Sequence, residues 1–447
     1  MNLHLRLPAF IFPVVLIVSI LHADDLPRRG VIGLAVAASD SSHPENPETN
    51  PLIVTAVVPG SAGQDAGVQP GDILRQIDGQ KIASATDFVA QLHRHVAGER
   101  VPVTVTRGGR QLTLMATLKP RPFETSPDAD VLYRSVVVEG ARRRVIVTRP
   151  KAAGRYPAVL IMGGLGCYSL DGSLTPKATQ DDPYGHLLTA LARNNFVTMR
   201  VEKTGEGDSE GPACTDLKAT AELEAQGYIA GLKALKGYEF VDPAKVFVFA
   251  HSLGPLIGSL VLPREQVRGF IAAETIGRSW LEYMLENIRR QTAISGAPYD
   301  QVDDEVRTHE ICVHDFFALH HTADEVSRMS AQCAAMIRSF AGVPYTLMHQ
   351  IGDISLARQW KSVDIPVLVI YGTSDPATSA DEGRYLAELI NSFHPGRAAY
   401  VELPGMGHDF NLYDSQREFL GRRGDSEKPH PYDEELSKVV LKWLADH

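Results

Sequence analysis

Val246-Phe247-Val248-Phe249-Ala250-His251-Ser252-Leu253-Gly254-Pro255 runs from an apolar block into a cluster of small residues. The block reads as a buried strand, and the apolar stretch after Gly254 as a helix. Pro255 suits a first helical turn, where a missing N–H costs little because it has no intrahelical partner. Ala250 and Gly254 flank Ser252 with little bulk, so the chain can turn sharply and lift the hydroxyl clear. A serine so placed, just before a helix N-terminus, suits a nucleophile whose intermediate carries an oxyanion. The bland alternative is a small-residue turn without chemistry.

Outward from this turn the pattern is regular. Apolar strand-like blocks lie at 158–162, 196–201, 246–250, 270–273, 366–371 and 398–403. Helical patterns near 183–194, 217–236, 254–262, 380–391 and 433–446 separate or follow them. Such alternation predicts a doubly wound, mostly parallel sheet. Ahead of it, 131–138 and 144–148 read as an antiparallel pair. Residues 277–350 form a long, mainly helical insertion with Trp280, Leu281, Tyr283, Met284, Phe316, Phe317 and Leu319 on amphipathic faces. Such stripes pack cores first.

Two later loops carry chemistry-bearing residues: Gly372-Thr373-Ser374-Asp375-Pro376 and Pro404-Gly405-Met406-Gly407-His408-Asp409-Phe410. With Ala250-His251-Ser252-Leu253-Gly254 they give residues 130–447 a resemblance to the α/β-hydrolases, with Ala250 in place of the usual first glycine. The order Ser…Asp…His is the order of that fold. The resemblance implies Ser252 as nucleophile, His408 as base and Asp375 as the acid that orients it. The plainer roles are a loop histidine and a turn cap. It also implies that the 277–350 insertion caps the active site. Leu253 N–H would be one oxyanion donor. Met162-Gly163-Gly164-Leu165-Gly166 resembles a His-Gly-Gly signature with Met162 in the histidine slot, which places the second donor at Gly164, with Leu165 as the neighbouring alternative. A further loop, Gly205-Glu206-Gly207-Asp208-Ser209-Glu210-Gly211, resembles one common in serine aminopeptidases, prolyl peptidases and related esterases; a structural role at the site floor is expected for it. Because the strands before these two glycine loops are sheet neighbours in the resembled fold, Cys167 and Cys214 are expected to form a disulfide, two free buried thiols being the alternative. Cys312 and Cys333 share one helical stretch and could pair across a hairpin.

Residues 27–120 alternate short strand patterns with Gly/Pro turns. The string Gly60-Ser61-Ala62…Ala66-Gly67-Val68…Pro70-Gly71-Asp72-Ile73-Leu74 resembles bacterial PDZ domains. That likeness implies a carboxylate-binding loop at Gly30, Val31, Ile32, Gly33 and Leu34, and a peptide or protein C-terminus added as a strand at a sheet edge. Phe88, Leu92 and His95 would either wall the groove or pack the core. The stretch 39–50 reads as a solvated loop, and 121–129, rich in proline, as a semi-rigid spacer.

The chain has 447 residues, 44% of them apolar and 22% charged, which excludes a disordered, collagenous or multi-span membrane protein. With 44 Lys+Arg against 54 Asp+Glu, no basic face suggests nucleic acid. No zinc-type Cys or His spacing and no phosphate loop occurs, so no metal or cofactor is expected. Arg6 precedes an apolar run at 7–21 that is too short to span a bilayer, and Ala23 is a small residue at the cleavage position of a signal peptide. Residues 1–23 are therefore expected to be a leader and the protein exported, periplasmic or secreted, without a membrane span after cleavage; an uncleaved anchor is the alternative. The expected activity is hydrolysis of a small-molecule ester through an acyl-enzyme. Peptide, thioester or lactone cleavage, or a PDZ adaptor with a vestigial hydrolase half, are the competing expectations.

Overall fold

A computed structural model describes residues 26–38, 51–175, 182, 184–340, 342–421 and 430–447. The expected leader at 1–23 and the loop at 39–50 lie outside the described residues.

The N-terminal part is β-rich. Its strands are β1 (Gly30–Val31), β2 (Leu34–Ala38), β3 (Leu52–Val57), β4 (Ile73–Ile77), β5 (Gln80–Lys81), β6 (Arg100–Arg107), β7 (Arg110–Thr117) and β8 (Lys119–Pro120). The order β2-β3-β4-β6-β7 leaves β2 at an edge, and β5 pairs with β4. Asp78 and Gly79, at φ of +50° and +73°, make the tight reversal between β4 and β5. Two helices complete the unit: α1 (Ala62–Asp65) and α2 (Ala85–Leu92). Ser84 caps α2 by accepting the Asp87 N–H at 3.0 Å. Phe88 and Leu92 are buried among Ile77, Val101 and Val103, so these two pack the core. His95 instead meets Glu99 at 2.8 Å.

Segment 121–129 is not a free spacer. β8 pairs with β1. Beyond it, Glu124 is fully enclosed and bonds to Arg200 at 2.6 and 2.7 Å. The carbonyls of Arg121 and Pro122 accept from Arg28, whose guanidinium lies 4.7 Å from the centre of the Phe123 ring. Buried paired charges and a cation–aromatic contact on the exposed Phe123 ring override the extended preference of a proline-rich run.

In the larger part, β9 (Ala129–Val138) and β10 (Ala141–Pro150) are antiparallel. Then β11 (Tyr156–Met162), α3 (Gly185–Arg193), β12 (Val197–Val201), α4 (Ala221–Gly237), β13 (Val241–His251), α5 (Gly254–Val261) and β14 (Gly269–Ala273) alternate. After a helical insertion, β15 (Val367–Gly372) and β16 (Ala398–Leu403) finish the sheet. Its order is β16-β15-β14-β13-β11-β12-β10-β9, and the pairs from β12 through β16 are parallel.

Side chains alternate across the sheet with period two. Val159 and Ile161 of β11 face a core shared with Leu187 and Leu191 of α3. Leu160 and Met162 face the opposite core, with Leu232 of α4 and Leu256 of α5. Each such burial stabilises by about 1.5–3 kcal/mol before chain entropy is subtracted.

The insertion between β14 and β15 contains α6 (Trp280–Ile294), α7 (Tyr299–Val313), α8 (Ala323–Ser327), α9 (Ala331–Arg338), α10 (Tyr345–Gly352) and α11 (Leu356–Trp360). Ser279 and Glu282 form a reciprocal cap at the start of α6. A Cys312–Cys333 disulfide joins α7 to α9. Helices α12 (Ala380–Phe393), α13 (Gln416–Gly421) and α14 (Glu434–Asp446) complete the chain. No described helix is long and apolar enough to cross a membrane.

Candidate active site

Strand β13 delivers Ser252 to the end of the sheet in a left-handed backbone conformation, φ +59°, that costs a non-glycine residue energy. Two bonds hold it there. Ser252 N–H donates to the Ala273 carbonyl at 3.0 Å, and Thr275 Oγ1 donates to the Ser252 carbonyl at 2.7 Å. A Cβ on Gly254 would lie 2.8 Å from the Met162 carbonyl oxygen, so the turn can close against β11 only with glycine there.

The loops after β15 and β16 bring Asp375 and His408 to the same place. His408 Nε2 is 3.0 Å from Ser252 Oγ, and His408 Nδ1 is 2.9 Å from Asp375 Oδ2. The fitting tautomer has Nδ1–H donating to the carboxylate and Nε2 accepting the serine proton. Asp375 also accepts the Ala377 N–H at 2.6 Å and the Thr378 hydroxyl at 2.5 Å. Burial alone would push its carboxyl up, but His408 and these donors hold it well below the usual carboxylate range. Burial pulls His408 down, but the Asp375 charge outweighs it and raises the imidazole above its ordinary value. Asp409 turns away, accepting from the Tyr413 hydroxyl at 2.7 Å.

His251, beside the serine, is buried, and burial with the neighbouring His408 pulls it down to about 3. It is therefore neutral. Its Nε2–H donates to the His408 carbonyl at 2.9 Å, so Nδ1 accepts from the Tyr184 hydroxyl at 2.9 Å. This chain fixes the backbone that carries His408.

Gly164 lies against the serine: a Cβ there would sit 2.9 Å from Ser252 Cβ and 3.2 Å from Oγ. Leu165 and Leu253 line the same cavity. Behind the loop, Lys203 Nζ donates to the Gly164 carbonyl at 2.6 Å and the Gly166 carbonyl at 2.5 Å. It also stands 4.5 Å from the centre of the Tyr168 ring. Turning these carbonyls toward the ammonium orients the loop's peptide units. The loop is closed by a Cys167–Cys214 disulfide spanning 47 residues of sequence. Directly after β12, Glu202 accepts from Ser169 Oγ and from the N–H groups of Leu170 and Asp171, and burial pushes it up to about 7.

A cavity of about 380 Å³ opens on Ser252 and His408. Its walls include Ile276, Trp280, Met284, Ile288, Met336 and Phe340 from the insertion. Asn287, Arg290 and Gln291 of α6 donate to the Pro376 carbonyl beside Asp375, which ties the insertion to the acid loop. Glu274, at the end of β14, lines the cavity too. Neither it nor Lys203 was singled out from sequence. The available signal was a charged residue within two positions of the end of an apolar strand block in each case.

In the N-terminal part, Gly30 N–H donates to the His95 carbonyl at 3.0 Å, and Gly30 and Val31 pair with β8. These two residues are therefore strand, not open loop. Ile32, Gly33 and Leu34 lead into edge strand β2, with Gly33 at φ +72° packed against Ser61.

A model of the alpha/beta hydrolase family matches residues 159–422, and a PDZ domain model matches 30–118. Among curated proteins, the esterase EstD of Thermotoga maritima is 22% identical over 245 residues, 54% of this chain and 52% of its own length. A probable periplasmic serine endoprotease, DegP-like, of a Marinomonas species is 32% identical over 74 residues, 17% of this chain and 16% of its own. This chain thus spans about half or less of the curated relatives it matches. Among solved structures, the Pyrococcus furiosus esterase Pf2001 has a TM-score of 0.44 at 13% identity, covering 73% of this chain and 96% of that one. Est1E of Butyrivibrio proteoclasticus has a TM-score of 0.41 at 16% identity, covering 70% and 99%.

Proposed function

The chain belongs to the alpha/beta hydrolase family and carries a PDZ domain ahead of that fold, and from this premise we propose that it is an exported serine hydrolase cleaving small carboxylic esters. The observation that carries the reading is the unbroken line from Ser252 Oγ through His408 to Asp375, with contacts of 3.0 and 2.9 Å.

In the reaction, Ser252 Oγ attacks the ester carbonyl carbon as its proton passes to His408 Nε2. Asp375 stabilises the resulting imidazolium. The N–H of Leu253, with that of Gly164 or Leu165, receives the oxyanion. The C–O bond then breaks, and the leaving alkoxide takes the proton from His408. Water, activated by the same imidazole, attacks the acyl-serine and releases the acid.

An ester is favoured over an amino-terminal peptide by the cavity lining. An aminopeptidase needs a negative partner for the substrate ammonium, and the carboxyl among the described lining residues is Glu274, which burial and then the Asp375 charge raise well above its usual range. The apolar walls suit a neutral acyl group. Two disulfides fit an oxidising compartment. The PDZ part would take a peptide or protein C-terminus as an added strand along β2, its carboxylate meeting the amides of Ile32–Leu34.

Fluorophosphonate labelling of the wild type and of Ser252→Ala at equal folded concentration tests the reading. The wild type is expected to label and the variant not. Turnover of acyl esters over aminoacyl anilides should follow. A folded wild type that neither labels nor reacts with a smaller organophosphate overturns it in favour of a peptide-binding adaptor.

A further inference from the structure

Glu274 and Asp375 are two fully enclosed carboxyl groups on adjacent strand ends. One oxygen of each and one nitrogen of His408 lie within 4.8 Å of one another. Glu274 is held in place. Its own N–H donates to the Ile370 carbonyl at 3.0 Å, and its Oε1 accepts the Gly372 N–H at 2.6 Å. A Cβ on Gly372 would lie 2.9 Å from that oxygen, so the glycine makes room for it. The backbone at Glu274 is left-handed, φ +48°, a strained placement for this side chain.

Two negative charges this close, out of water, are strongly disfavoured, and one proton relieves the repulsion. The surroundings say which group holds it. Asp375 receives His408 Nδ1–H, Ala377 N–H and the Thr378 hydroxyl at 2.5 Å. Glu274 receives Gly372 N–H, while the same Thr378 hydroxyl is 3.5 Å from its Oε2. Among the described residues, the other groups near the pair supply no compensating cation to Glu274. Tyr371 on β15 and Tyr283 on α6 are neutral phenols raised by burial and by the Asp375 charge. Arg290 on α6 is bonded to Glu286 and the Pro376 carbonyl, and Glu382 on α12 pairs with Arg278.

We propose that Glu274 is a positioning residue, kept as a carboxylic acid that donates its proton to Asp375 and so orients the triad acid while leaving one negative charge beneath His408. Burial first, and then the Asp375 charge, hold Glu274 well above the usual carboxylate range, in keeping with this. A second ionised carboxylate there would hold the imidazole protonated and unable to accept from Ser252. The pair instead gives Asp375 one more donor without adding charge.

The proposal rests on the reading of Ser252, His408 and Asp375 as the reacting line, and the test separates the two. Turnover of p-nitrophenyl acetate is measured across pH for Glu274→Gln and Glu274→Leu. Glutamine keeps a donor toward Asp375 and cannot ionise. It is expected to hold kcat within about threefold and to leave the acid limb of kcat/KM where it was, because no charge beside His408 has been removed. Leucine removes the donor and should lower kcat about tenfold, the equivalent of about 1.4 kcal/mol, with KM unchanged. An acid limb shifted downward in Glu274→Gln by half a pH unit or more would mean that Glu274 is ionised and would overturn the proposal. So would a Glu274→Leu variant with wild-type kcat. If the leucine variant does not fold, infrared difference spectroscopy of Glu274→Gln against wild type reads the same point without turnover. Loss of a protonated-carboxyl C=O band supports the proposal, and loss of only carboxylate bands overturns it. A protein that shows the carboxyl band but never labels at Ser252 loses the hydrolase reading and keeps the acid pair.

Discussion

At the residue scale the site is a contest between burial and charge. His408 loses water, which favours its neutral form, yet it sits above the ordinary value of 6.5 because the Asp375 charge lies 2.9 Å away. In the proposed reaction His408 would act as base only as neutral imidazole, so kcat/KM should rise with pH through a midpoint above 6.5. Stability moves the other way. A group whose folded value is raised stabilises the fold fully below its unfolded value and loses that contribution as pH rises through the folded one. The expected result is an activity plateau on the alkaline side of a shallow decline in this part of the stability. A pH–rate profile beside a thermal-unfolding series checks both; an acid limb with its midpoint below 6.5 would mean that the His408–Asp375 pair does not exist in solution. Ser252, Asp375 and His408 were legible because each follows an apolar strand block within a few residues. Glu274 obeys the same local rule, but its meaning depends on a carboxyl a hundred positions later. Nothing near it in sequence says that two acids will meet.

In the proposed reaction, the element that would supply the second oxyanion donor is the loop after β11. Glycines let its backbone approach Ser252, but permissive backbone alone does not choose one orientation. Lys203, on the loop after β12, does so by binding two of its carbonyls. The Cys167–Cys214 bond then fastens the far end and, in the chain-entropy model, contributes roughly 4 kcal/mol for a loop of this length. Lys203→Met keeps the stem and removes the donor. It should lower kcat roughly 10- to 100-fold, as for a misplaced oxyanion donor, and leave KM within about twofold, since ground-state binding is little touched. Steady-state kinetics on one ester suffices. A fall confined to KM would place Lys203 in substrate binding instead. Just before Lys203, Glu202 braces segment 169–171.

Across the whole molecule the two parts are joined through a buried charge cluster. Arg28 Nη1 contacts both Asp171 and Asp208 at 2.6 Å. Asp208 also receives Arg144 at 3.0 Å and the Arg29 N–H at 2.8 Å. Arg29 reaches the Ser209 carbonyl at 2.8 Å and the His93 carbonyl of the PDZ part. Breaking such a cluster leaves carboxylates buried without a partner. Arg28→Met is therefore expected to cost about 3 kcal/mol and to speed proteolytic cleavage within 119–129, where the two parts meet. Calorimetry and limited proteolysis check the two effects together. An unchanged melting temperature with unchanged cleavage would show that the PDZ part is held by its backbone pairing alone.

Sequence by itself determined the β-rich module ahead of a doubly wound sheet, the serine turn, and the loops that carry Asp375 and His408. These are short-range statements: strand period, turn sterics and helix starts are set by residues within a few positions of one another. Tertiary structure alone decided which charged groups share a site. Arg28 meets Asp208 across 180 positions, Glu274 meets the β15 end across 98, and Lys203 meets the Gly164 loop across 39. Desolvation and Coulomb energy depend on distance in space, and only the closed sheet brings these groups within reach of one another.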